Sequence, residues 1–405
     1  MRKILTSLGV VLSVNPTVAQ AQCDSLKTPN DLLKCVVQSH AEVKIGKSLI
    51  EEARLGIQVA DQQPNPELDA EVTDSIGSGF GTGVTLMHTF ERGGKKEARR
   101  RLASSEHALS KTALLNQQDQ IILKTVLSLY RIRQIDHELE INREIITTFE
   151  NIISQYKKAG TLGPEQKVSI SVFNLALEES RLNKTTLLSE RKGFVTQIQT
   201  DLGKEIKISS GLLPKVVNTW SDLNGSTRLE GNQVKLAQES VALSKARFLL
   251  EEAEATPNIS IGPKVGFEHD GEGSFSIGVA LSMPLPLYHQ YSGSKARARA
   301  EVQTNVARLD SLKAKLVQRK KYLEGVYRDV QRTITHTLTN KEVEIDHKNL
   351  HKMINSGVVS ASIIIELHRQ ILEFYDKLHQ QELTGINALW QIHAINGTIQ
   401  SEELK

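Results

Sequence analysis

The chain has 405 residues, 24% of them charged and only 4% aromatic, with a formal net charge of +3. Many charges with few aromatics favour long helices over an aromatic-rich core. A near-neutral chain offers no electrostatic footprint for nucleic acid, which is excluded as a partner.

Residues 1–21 have the form of a secretory signal peptide. Arg2 and Lys3 supply the positive start, Ile4 to Val14 a short apolar run, and Ala19-Gln20-Ala21 an A-x-A cleavage site. Removal of that segment would leave 48 Lys+Arg against 47 Asp+Glu, a charge of +1. Cys23 follows Gln22 rather than a small residue, which argues against lipidation. Cys23 and Cys35 are the two cysteines of the chain. In an oxidising compartment they read either as a disulfide fastening the N-terminal tail or as two unpaired thiols. Past the signal no apolar run reaches the roughly 18 residues of a membrane helix. An exported chain of that kind is soluble or forms a β-barrel.

The mature chain reads as one unit used twice. The first repeat, 22–203, has a helix over 29–62 running into Pro64-Asn65-Pro66, strands over 67–76 and 80–90, a long helix over 94–157, a break at Gly160 and a returning helix over 164–203. An irregular equatorial segment, 204–227, contains Pro214 and Trp220. The second repeat, 228–397, has a helix over 228–255 running into Pro257-Asn258, strands over 258–269 and 274–284, a long helix over 293–355, a break at Gly357 and a returning helix over 360–396. A tail, 398–405, follows. The landmarks recur in order at an offset of roughly 193–200 residues, the signature of internal duplication.

The strands alternate with period two. Leu68, Ala70 and Val72 oppose Glu67, Asp69 and Glu71, and Phe275, Ile277, Val279 and Leu281 oppose Ser274, Ser276, Gly278 and Ala280. Segments of about 10 alternating residues have the length of membrane β-strands. Two soluble hairpins seated on a helical bundle would show the same alternation. The long helices argue for the membrane, because roughly 62–64 residues without an internal proline reach about 95 Å, beyond the needs of a globular domain. Pro164 suits a first helical turn and Ser360 an N-cap. Four strands cannot close a barrel, and unpaired edge groups in hydrocarbon are penalised by several kcal/mol each. Copies must supply the partners, and three give twelve strands, the simplest assembly with room for a lumen. The expected fold is therefore mainly α with a small transmembrane β part: long helical hairpins in a tapered rod, and four strands per protomer in a trimeric, twelve-stranded barrel.

Ser39-His40-Ala41-Glu42-Val43, the helix ending at Pro64-Asn65-Pro66, Val279 to Leu287 before Gly293, Tyr156-x-x-x-Gly160 and the tip at Gly357 together resemble the TolC-like outer-membrane factors. The resemblance covers nearly the whole mature chain and lies somewhat closer to the heavy-metal/RND branch than to the drug-efflux branch. It implies a trimeric outer-membrane channel of a Gram-negative bacterium whose helical hairpins form a periplasmic α-barrel, and which docks on a periplasmic adaptor and an inner-membrane pump of RND or ABC type. It also implies that the tips Gly160, Thr161, Leu162, Gly163, Gly357, Val358, Val359 and Ser360 meet the adaptor. Family members often carry two aspartates at a constriction past the second tip. Here the matching positions are Ile363 and Glu366, so only one carboxylate remains. Three copies of Glu366 around an axis would favour cations and raise one another's pKa.

No catalytic pattern is present: no H-E-x-x-H, Walker loop, G-x-S-x-G or cysteine cluster. The expectation is a non-enzyme without cofactor. His347 and His351 stand four apart on the long helix and are weak metal-ligand candidates against a solvated pair. Glu67, Asp69 and Glu71 would line the lumen and make it cation-friendly. The function read here is a passive export conduit of a tripartite efflux system. The alternatives are the channel of a type I protein secretion system and, in a different class, a soluble periplasmic coiled-coil scaffold or chaperone.

Overall fold

A computed structural model describes residues 23, 26–75, 79–158, 160, 162–217, 220–223, 229–270, 272–337 and 360–404. The signal segment, His347, His351, Thr161 and Gly357 to Val359 lie outside the described residues. Helix α1 spans Pro29–Ser39 and opens with a capping box, Thr28 Oγ1 accepting from the Asp31 N–H at 3.1 Å while the Asp31 carboxylate accepts from the Thr28 N–H at 2.9 Å. Cys23 and Cys35 form a disulfide, with Cα atoms 5.7 Å apart.

The helix expected over 29–62 is two helices. His40 is extended, with ψ at 134°, and its Nδ1 accepts from the Glu42 N–H, so it caps α2, Ala41–Ala60, instead of continuing α1. Strands β1, Glu67–Ser75, and β2, Gly79–Phe90, follow. Helix α3, Lys95–Lys158, runs 64 residues, or about 96 Å. It holds together because Ile121, Val126, Leu129, Ile132, Ile135, Leu139, Asn142, Ile145, Phe149 and Ile153, stepping by three, four or five, are buried along one stripe that is apolar but for Asn142. Helix α4, Pro164–Leu202, returns with proline in its first turn and ends at Gly203, whose φ of 71° provides the left-handed cap.

The irregular segment carries a 3₁₀ turn at Ser210–Leu212 and inserts Ile208, Leu212 and Leu213 into the core. The second repeat follows with α5, Asn232–Glu254, β3, Ile259–Asp270, β4, Glu272–Ser282, α6, Ser292–His336, and α7, Ala361–Asn396. The long helix expected to run unbroken over 293–355 ends at His336, with Thr337 extended. Thr333, Thr335 and Thr337 each turn their hydroxyl onto the carbonyl four residues back, at 2.7–2.9 Å. Such back-bonding and β-branching weaken the last turns of a helix. The residues expected as a tail form a clamp: Ile399 and Leu404 are buried, and Asn30 exchanges two hydrogen bonds with the Leu404 backbone.

The helices pack side by side. Toward the sheet the neighbours are α2 on α3, α3 on α5 and α5 on α6. Away from it they are α4 on α3, α3 on α7 and α7 on α6. The largest apolar cluster sits at the waist, where α1, the middle of α3, the end of α4, the irregular segment and Ile399 meet. A second cluster joins Ile145, Phe149 and Ile153 of α3 to Phe173 and Leu177 of α4 and to Ile364 of α7. The start of α7 therefore lies level with the first hairpin's tip.

Candidate channel wall and tip

The four strands form one antiparallel sheet in the order β1-β2-β3-β4. The register places Leu68 opposite Leu86, Val84 opposite Val265, and Val265 opposite Ile277. Apolar side chains consequently run across one face, interrupted by Thr82 and, toward the turns, by Asp74 and His269, and the register, not strand composition alone, joins them. Leu68, Val72, Phe80, Val84, Leu86, Phe90, Ile261, Val265, Phe267, Phe275, Ile277, Val279 and Leu281 are all 40–76% exposed in the protomer. Isolated soluble proteins rarely leave so much contiguous apolar surface uncovered. The other face holds Glu67, Asp69, Glu71, Lys264, Glu268 and small residues, and the Lys264 ammonium stands 4.0 Å from Glu71. Period-two alternation thus puts the three acids together on the face opposite the apolar one.

Among the described residues both sheet edges, β1 and β4, lack a neighbour within the protomer. The helical layer likewise has two lateral sides. One is formed by α2 and α4, where Ile45, Leu49 and Val59 of α2 and Val168, Val172, Leu175 and Leu182 of α4 are exposed at 42–73%. Val168, Leu175 and Leu182 recur at heptad spacing, with Val172 one turn on from Val168, the pattern of a coiled-coil seam left uncovered by the described residues. The other side is α6, with Val306, Val317 and Tyr322 exposed.

At the tip Gly160 has φ 79°, a left-handed turn conformation that suits glycine, and the Gly163 N–H donates to Gln166 Oε1 at 3.0 Å. Ser360 occupies the N-cap position of α7, but its hydroxyl pairs with Ser362 Oγ at 3.1 Å instead of capping a backbone N–H. Ile363 is 56% exposed, and Glu366 follows one turn later. Arg369 grips Glu366 through two hydrogen bonds of 2.7 and 2.9 Å and Gln370 adds a third, drawing its pKa down to about 2. Within one protomer Glu366 is therefore a partnered, ionised carboxylate.

A buried polar seam between α3 and α7 escaped the sequence reading. Arg131 bridges Glu138, at 2.8 Å, and Glu190 of α4, at 2.8 Å. His379 Nδ1 meets Glu138 at 2.7 Å, and its Nε2 lies 3.3 Å from His137 Nδ1. Glu382 is shared by Arg133, by Gln134 Nε2 at 2.8 Å and by the Val217 N–H at 3.2 Å. Burial, then the neighbouring His379 and Arg133, lower the His137 pKa to about 4. The signal was available, since Arg131, Gln134 and Glu138 fall at three, four and seven on a helix face, among isoleucines. Among the described residues no group of three or more His, Cys, Asp or Glu could hold a metal ion, and no helix is long and apolar enough to cross a membrane.

A four-stranded sheet with one apolar face, carried on helices of this length, is also the fold of solved outer-membrane channels. Solved structures similar to the chain include the CmeC outer membrane channel of Campylobacter jejuni, at 13% identity over 93% of this chain and 87% of that one, TM-score 0.70. The open state of the MtrE outer membrane channel of Neisseria gonorrhoeae matches at 12% identity over 92% and 90%, TM-score 0.68. The outer membrane protein VceC of Vibrio cholerae matches at 14% over 92% and 96%, TM-score 0.66. No family profile and no curated protein sequence matches the chain. These neighbours are channel and outer-membrane proteins rather than enzymes.

Proposed function

We propose that the chain is one subunit of an outer-membrane efflux channel, a passive conduit closed by three copies. The observation that carries the reading is the apolar sheet face, uncovered and bounded by two unpaired edges. In water that surface is unfavourable, whereas against lipid it is the required exterior of a barrel. β1 and β4 run in opposite directions, so β4 of one copy pairs antiparallel with β1 of the next. The exposed α2/α4 side meets the α6 side of the neighbour in the same head-to-tail sense, the heterologous contact that generates a ring.

On this reading the barrel lies in the outer membrane of a Gram-negative cell and the helices reach into the periplasm. Glu67, Asp69 and Glu71 face the lumen. The tips Gly160 to Gly163 and Gly357 to Ser360 meet a periplasmic adaptor that links the channel to an inner-membrane pump. Three Glu366 side chains, each held by its own Arg369, ring the constriction beside Ile363. The test is fractionation followed by mass determination. The mature chain should pellet with outer membranes through a carbonate wash and leave detergent as a particle of three copies. A single copy that dissolves without detergent would end the proposal.

A further inference from the structure

The apolar parity of β4 does not stop where its ladder stops. Phe275, Ile277, Val279 and Leu281 are followed at the same parity by Met283 and Leu285, beyond the strand end at Ser282, and Leu287 comes next after a tight turn in which its N–H donates to the Leu285 carbonyl at 2.8 Å. Leu285 and Leu287 are 65% and 68% exposed, and Tyr288 is wholly exposed. Three cations follow within the first turns of α6: Lys295, Arg297 and Arg299. Among the described residues none of the three has a carboxylate within 4.0 Å. Arg299 lies over the Phe248 ring at 5.5 Å, and nearby Glu301 is committed to Arg247 at 3.0 Å. Arg297 lines a groove of about 290 Å³ that also holds Glu251 and Glu301.

Resting on the channel reading, we propose that this lip is a lipid-binding site for anionic glycerophospholipids of the periplasmic leaflet. Leu285, Leu287 and Tyr288 would enter the interface between acyl chains and headgroups, and Lys295, Arg297 and Arg299 would hold the phosphates. The helix side of the sheet faces the periplasm, so these residues stand where that leaflet's headgroups are. Lys295 and Arg297 are three and five residues into α6, about 5 and 8 Å from its start, within a headgroup layer of about 5–8 Å per leaflet. Arg299, at about 10 Å, reaches back toward it because helical side chains lean to the N-terminus. A tyrosine beside apolar residues, followed by arginine and lysine, is the chemistry of a membrane–water boundary. The exposed apolar residues that adjoin the lipid face, and three cations with no carboxylate within 4.0 Å among the described residues, together favour lipid over a neighbouring copy as the occupant.

The experiment is native mass spectrometry of the detergent-purified oligomer after incubation with phosphatidylglycerol or phosphatidylethanolamine, with inorganic phosphate as competitor. Each cation near an anionic surface contributes about a factor of five. Wild type should retain phosphatidylglycerol over phosphatidylethanolamine, and K295Q/R297Q/R299Q should lose that preference by about tenfold or more. L285S/L287S should reduce retention of both lipids. Displacement of phosphatidylglycerol by inorganic phosphate alone, or equal preference in wild type and triple variant, would overturn the lipid site. So would dissociation of the oligomer by L285S/L287S with lipid retention per copy unchanged, which would make a neighbouring copy the occupant. A wild-type chain that stays monomeric and detergent-independent would instead refute the channel reading beneath it.

Discussion

Arginine placed on either side of one strand separates a lipid-facing sheet from a solvated one. Ile277 is the sixth of the 11 residues of β4, pairs with Val265 and is 76% exposed on the apolar face. Eleven residues extend about 36 Å along the chain, and a tilt near 45° reduces that to about 25 Å across the membrane. Ile277 then lies near the midplane, where a lipid-facing arginine destabilises a barrel by about 2–4 kcal/mol. Three copies in one barrel bring the total to about 6–12 kcal/mol. Ser276, next in sequence, points to the opposite face beside Gly266. Arginine there would sit in the water-filled lumen and change stability little. On a soluble scaffold the ordering disappears, because substitutions at an exposed position shift stability by about 0.5 kcal/mol or less. Urea unfolding of Ile277→Arg and Ser276→Arg from phospholipid vesicles reads the difference directly. An Ile277→Arg protein as stable as wild type, or a Ser276→Arg protein less stable than it, would refute the membrane placement of this face.

Three further outcomes are expected. Neutralising Glu67, Asp69 and Glu71 to glutamine and asparagine should abolish or reverse cation preference in planar-bilayer conductance, and unchanged selectivity would remove them from the lumen. His137 is kept neutral by burial and has a folded pKa of about 4, against about 6.5 unfolded, so the unfolded chain takes up the proton first on acidification. Its contribution is whole above about pH 6.5 and drains as the pH falls to about 4, a loss of about 3 kcal/mol. His137→Phe, which keeps the ring contact to Tyr375, should flatten that part of the melting-temperature profile, and an unaltered slope would place the proton elsewhere. Cys35→Ser should lower stability by about 2–3 kcal/mol through loss of a short closed loop, read as a lower melting temperature that reductant no longer changes.

Much of the architecture was legible because period-two and helical repeats are properties of single segments. The alternation of Phe275 to Leu281 marks a strand with one apolar side, and the long stretch after Gly94 without internal glycine or proline marks a helix. The break at His40 was harder to see, because histidine is not a usual helix stop. Only its ring nitrogen on the Glu42 N–H makes it a cap. The end of α6 at His336 came from threonines whose individual helix penalties are small and whose back-bonds act together. The polar seam of Arg131, His137, Glu138, His379 and Glu382 was only half legible: the spacing of Arg131, Gln134 and Glu138 marks a polar stripe, but not what it meets. Its partners on α7 lie about 240 residues away in the chain, and each alone reads as a solvated helix residue.

The amino-acid order by itself determined which residues share a face: the acids of β1 against its aliphatics, the heptad stripe of α4, the apolar parity that runs through Leu285. These follow from fixed local periodicities of 2.0 and 3.6 residues. The tertiary structure decided what those faces meet. The β2–β3 pairing crosses the two repeats and joins four short apolar stripes into one surface, while α7 laid on α3 turns scattered charges into a buried network. Pairing register and helix neighbours depend on contacts between distant segments, and no local period specifies them.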